Sequence, residues 1–539
     1  MPRLLHLLVP LAAAAFCLVK PARALGDTDP LPHFVERNGR HALIVDGAPF
    51  LILGGQCMNS SAWPAALPEV WSAIDRLHAN TLEAPVYWEQ FEPEPGKFDT
   101  TLVDTLIREA REHGARLVIL WFGTWKNGSS HYIPLWMKSE PGLYPKLTGK
   151  DGRLVDSPSP IAPATLAADV RAFRALMSHI RSHDPVHTVI LVQVENESGA
   201  WGSIRDYSPA AQAVFEQPVP TELLKPLGLA ASAGANWQTA FGKDADEFFH
   251  AWSVAHFVGT VAAAGKKEYP LPMYANAALR DPINPGPAGT YESGGPTDNV
   301  LAIWKAAAPA LDVLAPDIYQ NDSAHYRKVL DLYARPDNPL FVPETLANAE
   351  AARYLFCALD KGAVCWTPFG VDRSLGDDAG SKDAVDPFAQ VGANYQLIGP
   401  ISREVARLNF EGKLRAVAEE PGAPVQSLEF GGWKVSVSFG IPRFGSATRK
   451  PQGNPKPIGR ALIAQLGENE FLVTGYFCRV DFAPADPASK LQREFVRVEA
   501  GTYQNGSFRV DRIWNGDQTD WGLNFNGAPL ILRARVGTY

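Results

Sequence analysis

The chain has 539 residues, 46% hydrophobic and 20% charged, enough apolar content for a sizeable core and too much for a disordered chain. Its formal net charge is −8, with no long run of one sign. That argues against nucleic acid as a partner, because such binders gather Lys and Arg on one face.

At the N-terminus, Arg3 precedes an apolar run over residues 4–19, and Ala22-Arg23-Ala24 offers a small-x-small cleavage site. This pattern predicts a signal peptide over residues 1–24 and an exported mature chain, periplasmic or secreted. His6 and Pro10 interrupt the run, which is too short for a membrane-spanning helix, so no membrane anchor is expected. Cys57, Cys357, Cys365 and Cys478 remain after cleavage. They form neither a disulfide framework nor a C-x-x-C zinc spacing. Buried free thiols are expected, with a Cys357–Cys365 pair as the alternative.

From about residue 32 to 401, short apolar runs alternate with helical patterns. Strands are predicted at residues 50–54, 81–88, 116–122, 189–194, 273–276, 313–319, 340–342 and 364–367. Helices are predicted between them at 70–77, 102–113, 166–181, 245–265, 300–308, 325–333 and 348–360. Eight strands alternating with helices are the arithmetic of a (β/α)₈ TIM barrel, an α/β fold assigned to residues 25–401. A doubly wound sheet would also alternate, but no Gly-rich phosphate turn stands at the first strand–helix junction. After residue 402 the texture changes. Residues 433–439, 471–482, 494–499, 507–514 and 530–536 read as strands separated by Gly and Asn turns. They predict a smaller C-terminal β-sandwich domain over 402–539, packed on the barrel.

Catalytic groups of such a barrel come from the C-terminal ends of its strands. Here those ends carry Thr124-Trp125-Lys126-Asn127-Gly128, Glu195-Asn196-Glu197, Asn276, Asp317-Ile318-Tyr319-Gln320, Glu344 and Trp366. Acidic, amide and aromatic groups meet at one rim. Neither a His cluster nor paired thiolates are present, so no metal and no organic cofactor is expected. Two Glu on opposed strands are the equipment of a retaining glycosidase: one attacks the anomeric carbon, the other protonates the leaving oxygen and later deprotonates water. Asn196 suits a hydrogen bond to the sugar 2-OH, a contact that strengthens in the transition state.

The fourth strand, Val192-Gln193-Val194-Glu195-Asn196-Glu197, resembles the VQ(V/I)ENE signature of family 35 glycoside hydrolases. Asn80-Thr81, Phe91-Glu92-Pro93-x-Pro95-Gly96-x-Phe98-Asp99 and Leu117-Val118-Ile119-Leu120 resemble the same family's second and third strand regions. The resemblance covers roughly residues 50–369. It implies a retaining β-galactosidase with Glu197 as acid/base and Glu344 as nucleophile. It further implies a divergent bacterial branch carrying a β-sandwich tail, whose members act on terminal β-galactosyl groups, including those capping xyloglucan side chains. Three departures stand out. Ser198 occupies the place of the family's Tyr after ENE. The usual second-strand Tyr is replaced near Pro85, with Glu83 and Tyr87 as substitutes. The usual Ala-Glu pair after the third strand gives way to the segment Thr124-Trp125-Lys126-Asn127-Gly128.

Each candidate also has a plainer reading. Glu195 falls on the face opposite Asn196 and supports the rim rather than the sugar; Glu197 and Glu344 sit where helix-start acids are common. Trp125, Lys126 and Asn127 are expected to rebuild hydroxyl recognition, Tyr319 to bond the nucleophile or pack in the rim, Asn276 to bind substrate, and Trp366 to floor the sugar or lie buried in the barrel. The expected partner is a plant-derived β-galactoside oligosaccharide or polysaccharide. The rivals are a glycosidase of the same clan acting on β-glucosides, arabinosides or internal bonds, and a non-catalytic carbohydrate-binding protein.

Overall fold

The computed structural model describes residues 30–228, 234–373, 386–440, 450–504 and 506–539. The signal peptide expected over 1–24 lies outside the described residues. Eight parallel strands close into a barrel: β1 (Ile52–Gln56), β2 (Thr81–Tyr87), β3 (Arg116–Lys126), β4 (Val189–Asn196), β5 (Met273–Ala278), β6 (Val313–Ile318), β7 (Phe341–Thr345) and β8 (Cys365–Pro368). Each pairs with its sequence neighbours, and β8 closes on β1 through Cys365–Ile52 and Trp366–Leu53. All eight strands fall where the apolar runs predict them, because strands covered on both faces must be apolar throughout.

A helix follows every strand. In Leu67–Leu77 the buried residues Leu67, Val70, Trp71, Ile74 and Leu77 form one stripe at helical spacing, and Val103, Leu106, Ile107 and Ala110 do the same in Thr101–Glu112. The longest, Pro163–His183 and Ala245–Glu268, flank β4 on either side in sequence. A three-stranded antiparallel sheet, His33–Arg37, Arg40–Val45 and Ala48–Phe50, precedes β1, and a hairpin, Lys146–Thr148 with Leu154–Pro158, lies in the β3–helix connection. Neither is among the predicted elements.

Beyond the helix Ser402–Phe410 the described residues form two antiparallel sheets, one of six strands and one of four. Leu428, Val435, Val437, Phe439 and Phe482 of the smaller sheet share a core with Ile463, Phe471, Val473 and Leu532 of the larger. That is the expected sandwich. The run 471–482 is two strands and not one, because Phe477 turns the chain with a φ of 51° between Glu470–Tyr476 and Cys478–Pro484. Cys57, Cys357, Cys365 and Cys478 are free and buried. Among the described residues no helix is long and apolar enough to cross a membrane.

Candidate active site

The C-terminal ends of β3 to β7 converge on one acidic pocket. Glu344 near the end of β7 is buried and accepts three hydrogen bonds: from Gln56 Nε2 on β1 (3.0 Å), Asn196 Nδ2 on β4 (3.1 Å) and the Tyr319 hydroxyl after β6 (2.7 Å). Asn196 Oδ1 in turn accepts from Lys126 Nζ at 2.8 Å. Glu197, one residue past β4, is held through its main chain: its N–H donates to Asn276 Oδ1 (2.9 Å), and its carbonyl accepts from Gly128 N (2.8 Å). Asn276 Nδ2 donates to Asp317 Oδ2 at 2.6 Å, so one amide from β5 fixes both the Glu197 backbone and a third carboxyl.

Carboxyl oxygens of Glu197, Asp317 and Glu344 lie within 4.8 Å of one another. Two unit charges at that separation repel by about 3 kcal/mol at an effective dielectric of about 20, so the three do not ionise independently. Burial first, and then the Glu344 charge, lift Glu197 to about 7, with Lys126 and Asp317 opposing the rise. Burial, followed by the charges of Glu344 and Glu197, pushes Asp317 well above the usual carboxylate range. Three oxygens this close would suit a cation. However, three donors already occupy Glu344 and Lys126 brings its own positive charge, so the donor set fits a polar organic substrate better.

The strand end that carries these groups is bent. Glu195 and Glu197 adopt left-handed φ values of 64° and 43°, costing on the order of 1 kcal/mol each for non-glycine residues. The first turns Glu195 away from the pocket. Its Oε2 accepts from Trp125 N (2.7 Å), and its carboxyl faces Asp169 on the helix Pro163–His183. Asp169 accepts from Trp121 Nε1 and the Thr124 hydroxyl, and burial raises both acids. Glu195 is therefore a rim support, as its alternation with Asn196 suggests.

Two expectations need correction. Trp125 does not reach the pocket. β3 bulges against β4, with Trp121 opposite Val194 but Lys126 opposite Asn196, and this sends the Trp125 ring outward. There it donates to Ser157 Oγ (3.0 Å) and packs edge-on against Phe257. Trp366 does not floor the site either. It is fully buried between β8 and the surrounding helices, donating to the Tyr326 hydroxyl at 2.9 Å. The remaining candidates are brought together. Lys126 is buried against Asn196, Asn127 occupies the turn above it and accepts from Lys126 Nζ, and Tyr319 is half-exposed at the mouth.

Several neighbours were not predicted as site residues. Asp317 was visible at a strand end, but its approach to Glu197 was not. Gln56 comes from β1, whose end has no charged residue. Glu292 comes from the loop after β5, far from any strand end. It is buried beside the half-exposed Trp201, neither of its oxygens has a hydrogen-bond partner, and burial together with the Glu197 charge raises it well above the usual range. Paired main-chain bonds between Ala200 and Ser293 (2.8 and 3.0 Å) tie that loop to the segment after β4. Only a periodic signal could have marked this residue, and an irregular loop has none. Of the two substitutes for the second-strand Tyr, Glu83 lies inside the barrel, accepting from the Thr367 and Tyr274 hydroxyls. Tyr87 is buried and bonds the Ala62 amide.

Comparison with known proteins gives a family model, "Domain of unknown function (DUF5597)", matching residues 391–526. No curated protein matches. Among solved structures, the chain is similar to a β-galactosidase from Bacillus circulans sp. alkalophilus (14% identity, TM-score 0.48, covering 66% of this chain and 57% of that one). It is also similar to a β-galactosidase from the psychrophilic Marinomonas ef1 (12%, 0.48, 66% and 61%). A third is an exo-β-1,4-mannosidase from Opitutaceae bacterium strain TAV5 (16%, 0.38, 62% and 54%). The chain thus spans little more than half the length of each of these proteins.

Proposed function

We propose that the protein is a retaining glycosidase, with Glu344 as nucleophile and Glu197 as general acid and base. One observation carries this reading: carboxyl oxygens from the ends of β4 and β7 lie within 4.8 Å, close to the roughly 5 Å that double displacement needs and too near for a water between them. In the first step Glu344 bonds to the anomeric carbon as the glycosidic bond breaks, and Glu197 gives its proton to the departing oxygen. In the second, Glu197 takes a proton from water, whose oxygen bonds to the anomeric carbon and releases Glu344. A pKa of about 7 suits both halves of that cycle. Asn196 bridges Lys126 and Glu344, which supports reading it as the contact to the sugar 2-OH beside the nucleophile.

The finer reading is an exo-acting β-galactosidase of family 35 acting on plant-derived oligo- or polysaccharides, xyloglucan side chains among them, after export. Its support is the Val192–Glu197 motif. A panel of nitrophenyl glycosides tests it. Turnover of the β-galactoside alone is expected; a preference for glucoside, mannoside or arabinoside moves the protein elsewhere in the clan, and no turnover at all leaves a carbohydrate-binding protein. For the mechanism, Glu344→Gly should lose turnover and recover with azide, giving the α-galactosyl azide. A β-azide product would remove Glu344 from the nucleophile role. Glu197→Ala should retain glycosylation by dinitrophenyl galactoside while losing poor leaving groups. The wild-type kcat/KM on poor leaving groups should fall above about pH 7, as Glu197 loses its proton.

A further inference from the structure

Two carboxylates suffice for double displacement, yet three carboxyls share this pocket. Asp317 is nine-tenths or more buried. Asn276 Nδ2 occupies its Oδ2, while its Oδ1 is buried without a hydrogen-bond partner. An oxygen of Glu197 and one of Glu344 lie within 4.8 Å. Because Glu344 already has three donors, Glu197 is the neighbour left for that orphan oxygen to serve.

We propose that Asp317 is a positioning residue that keeps its own proton throughout the cycle and donates a hydrogen bond to Glu197 once Glu197 has given its proton away. The proposal rests on the glycosidase reading. At glycosylation the Glu197 proton moves to the leaving oxygen, the bond from the anomeric carbon to that oxygen breaks, and the bond to Glu344 forms. The negative charge has then passed from Glu344, now an ester, to Glu197. The Asp317 O–H turns to that new carboxylate. When water attacks, Glu197 takes its proton, the charge returns to Glu344, and Asp317 is unchanged. A buried carboxyl between two others is kept protonated by its surroundings: burial and the charges of Glu344 and Glu197 all favour the neutral acid, and Lys126 alone opposes them. The other titratable groups facing this cluster are Glu292 from the loop after β5, Tyr319 at the mouth, Tyr274 on β5, Tyr333 on the helix Ser323–Tyr333 and Glu83 on β2.

Asn276 makes the test selective. In Asp317→Asn the amide oxygen must take the bond from Asn276 Nδ2, which turns the new N–H₂ toward Glu197 and mimics the protonated acid. The alkaline limb of kcat/KM should therefore stay within about 0.3 pH units of wild type, and kcat within about threefold. Asp317→Ala removes the donor, so the limb should rise by a unit or more and deglycosylation should slow at least tenfold. If Asp317 were an ordinary carboxylate, both variants would remove a negative charge and lower the limb, and that result would overturn the proposal. Loss of kcat in both with no movement of the limb would also overturn it, as a merely structural role. The Glu197 titration is read independently from the carboxyl ¹³C signal of glutamate-labelled protein without substrate, assigned with Glu197→Gln. The NMR midpoints carry the same predictions even if every glycoside is refused, so failure of the glycosidase reading is seen separately. If Asp317→Ala does not fold, the isosteric Asn variant decides alone: an unmoved midpoint with kcat kept within about threefold supports the proposal, and a lowered midpoint, or an unmoved one with kcat lost, overturns it.

Discussion

Glu83 shows how much a single buried group shapes the molecule. It sits inside the barrel, fully buried, and burial followed by the Glu344 charge outweighs its hydrogen bonds to raise it to about 8. Its folded pKa is above its unfolded value of 4.5, so its contribution to stability is complete below about pH 4.5 and is lost as pH rises to about 8. Glu83→Gln keeps the size and an acceptor for Thr367 while removing the titration. Urea unfolding at pH 5 and pH 8 should show wild type losing a few kcal/mol more than the variant across that interval. Equal losses would mean that the group stays charged in the fold. At this scale the sequence was most informative where polarity interrupts an apolar run. Glu197, Asn196, Asn276 and Glu344 stand out for that reason, and the structure brings them together. The directions of Trp125 and Trp366 were not legible, because a bulge and the packing of outer helices, neither visible in a single strand, decide them.

Between elements, the positions that matter are those where two segments touch without a side chain. Gly199 holds a φ of 153°, and a Cβ there would lie 2.4 Å from the Ser293 carbonyl oxygen, in the paired segment that ties the β4 and β5 loops. Gly199→Ala is expected to part that pairing, displace Glu197 from Asn276, and lower kcat at least tenfold with a Tm loss of several degrees. Unchanged kcat would show that the loops position nothing. Gly54 plays a similar part at the barrel wall, where a Cβ would fall 2.3 Å from Thr367 Oγ1. The barrel strands were readable as short continuous apolar runs and the long helices from their period. The N-terminal sheet and the hairpin at Lys146–Thr148 were not, because their short strands alternate weakly and are half-exposed.

Across the whole molecule, three strands of the larger sandwich sheet, Leu414–Ala418, Arg460–Gly467 and Glu470–Tyr476, are buried on both faces. Leu414, Ala416, Leu462, Ala464 and Leu472 join the barrel core, while Val417, Ala461, Ile463, Phe471 and Val473 join the sandwich core, as alternation along a strand requires. Arg460 fastens this junction. It is buried, donating Nε–H to Asn394 Oδ1 (2.6 Å) and Nη2–H to Gln390 Oε1 (3.1 Å) on the helix Ala389–Ile398. Arg353 Nε donates across the same boundary to the Glu419 carbonyl at 3.0 Å. Arg460→Ala leaves buried acceptors unpaired and should cost about 3 kcal/mol. Calorimetry is expected to show one transition for the wild type and a lower or split one for the variant; an unshifted single transition would mean the two parts hold together without it. The composition change after residue 402 pointed to a second kind of structure, whose first strand, Leu414–Ala418, follows one more helix. It did not reveal that one sheet of it would serve two cores.

The backbone at position 197 sets function against endurance. A left-handed φ and a carboxyl crowded by two others are carried there by the residue assigned the proton. The bonds that hold the position, its N–H donating to Asn276 Oδ1 and its carbonyl accepting from Gly128 N–H, use the 197 main chain and survive any substitution but proline. Glu197→Gly removes the strain and the crowding and keeps those bonds. It should therefore give a protein without activity on poor leaving groups that melts several degrees above the wild type, a difference that thermal unfolding of the two purified proteins would display directly.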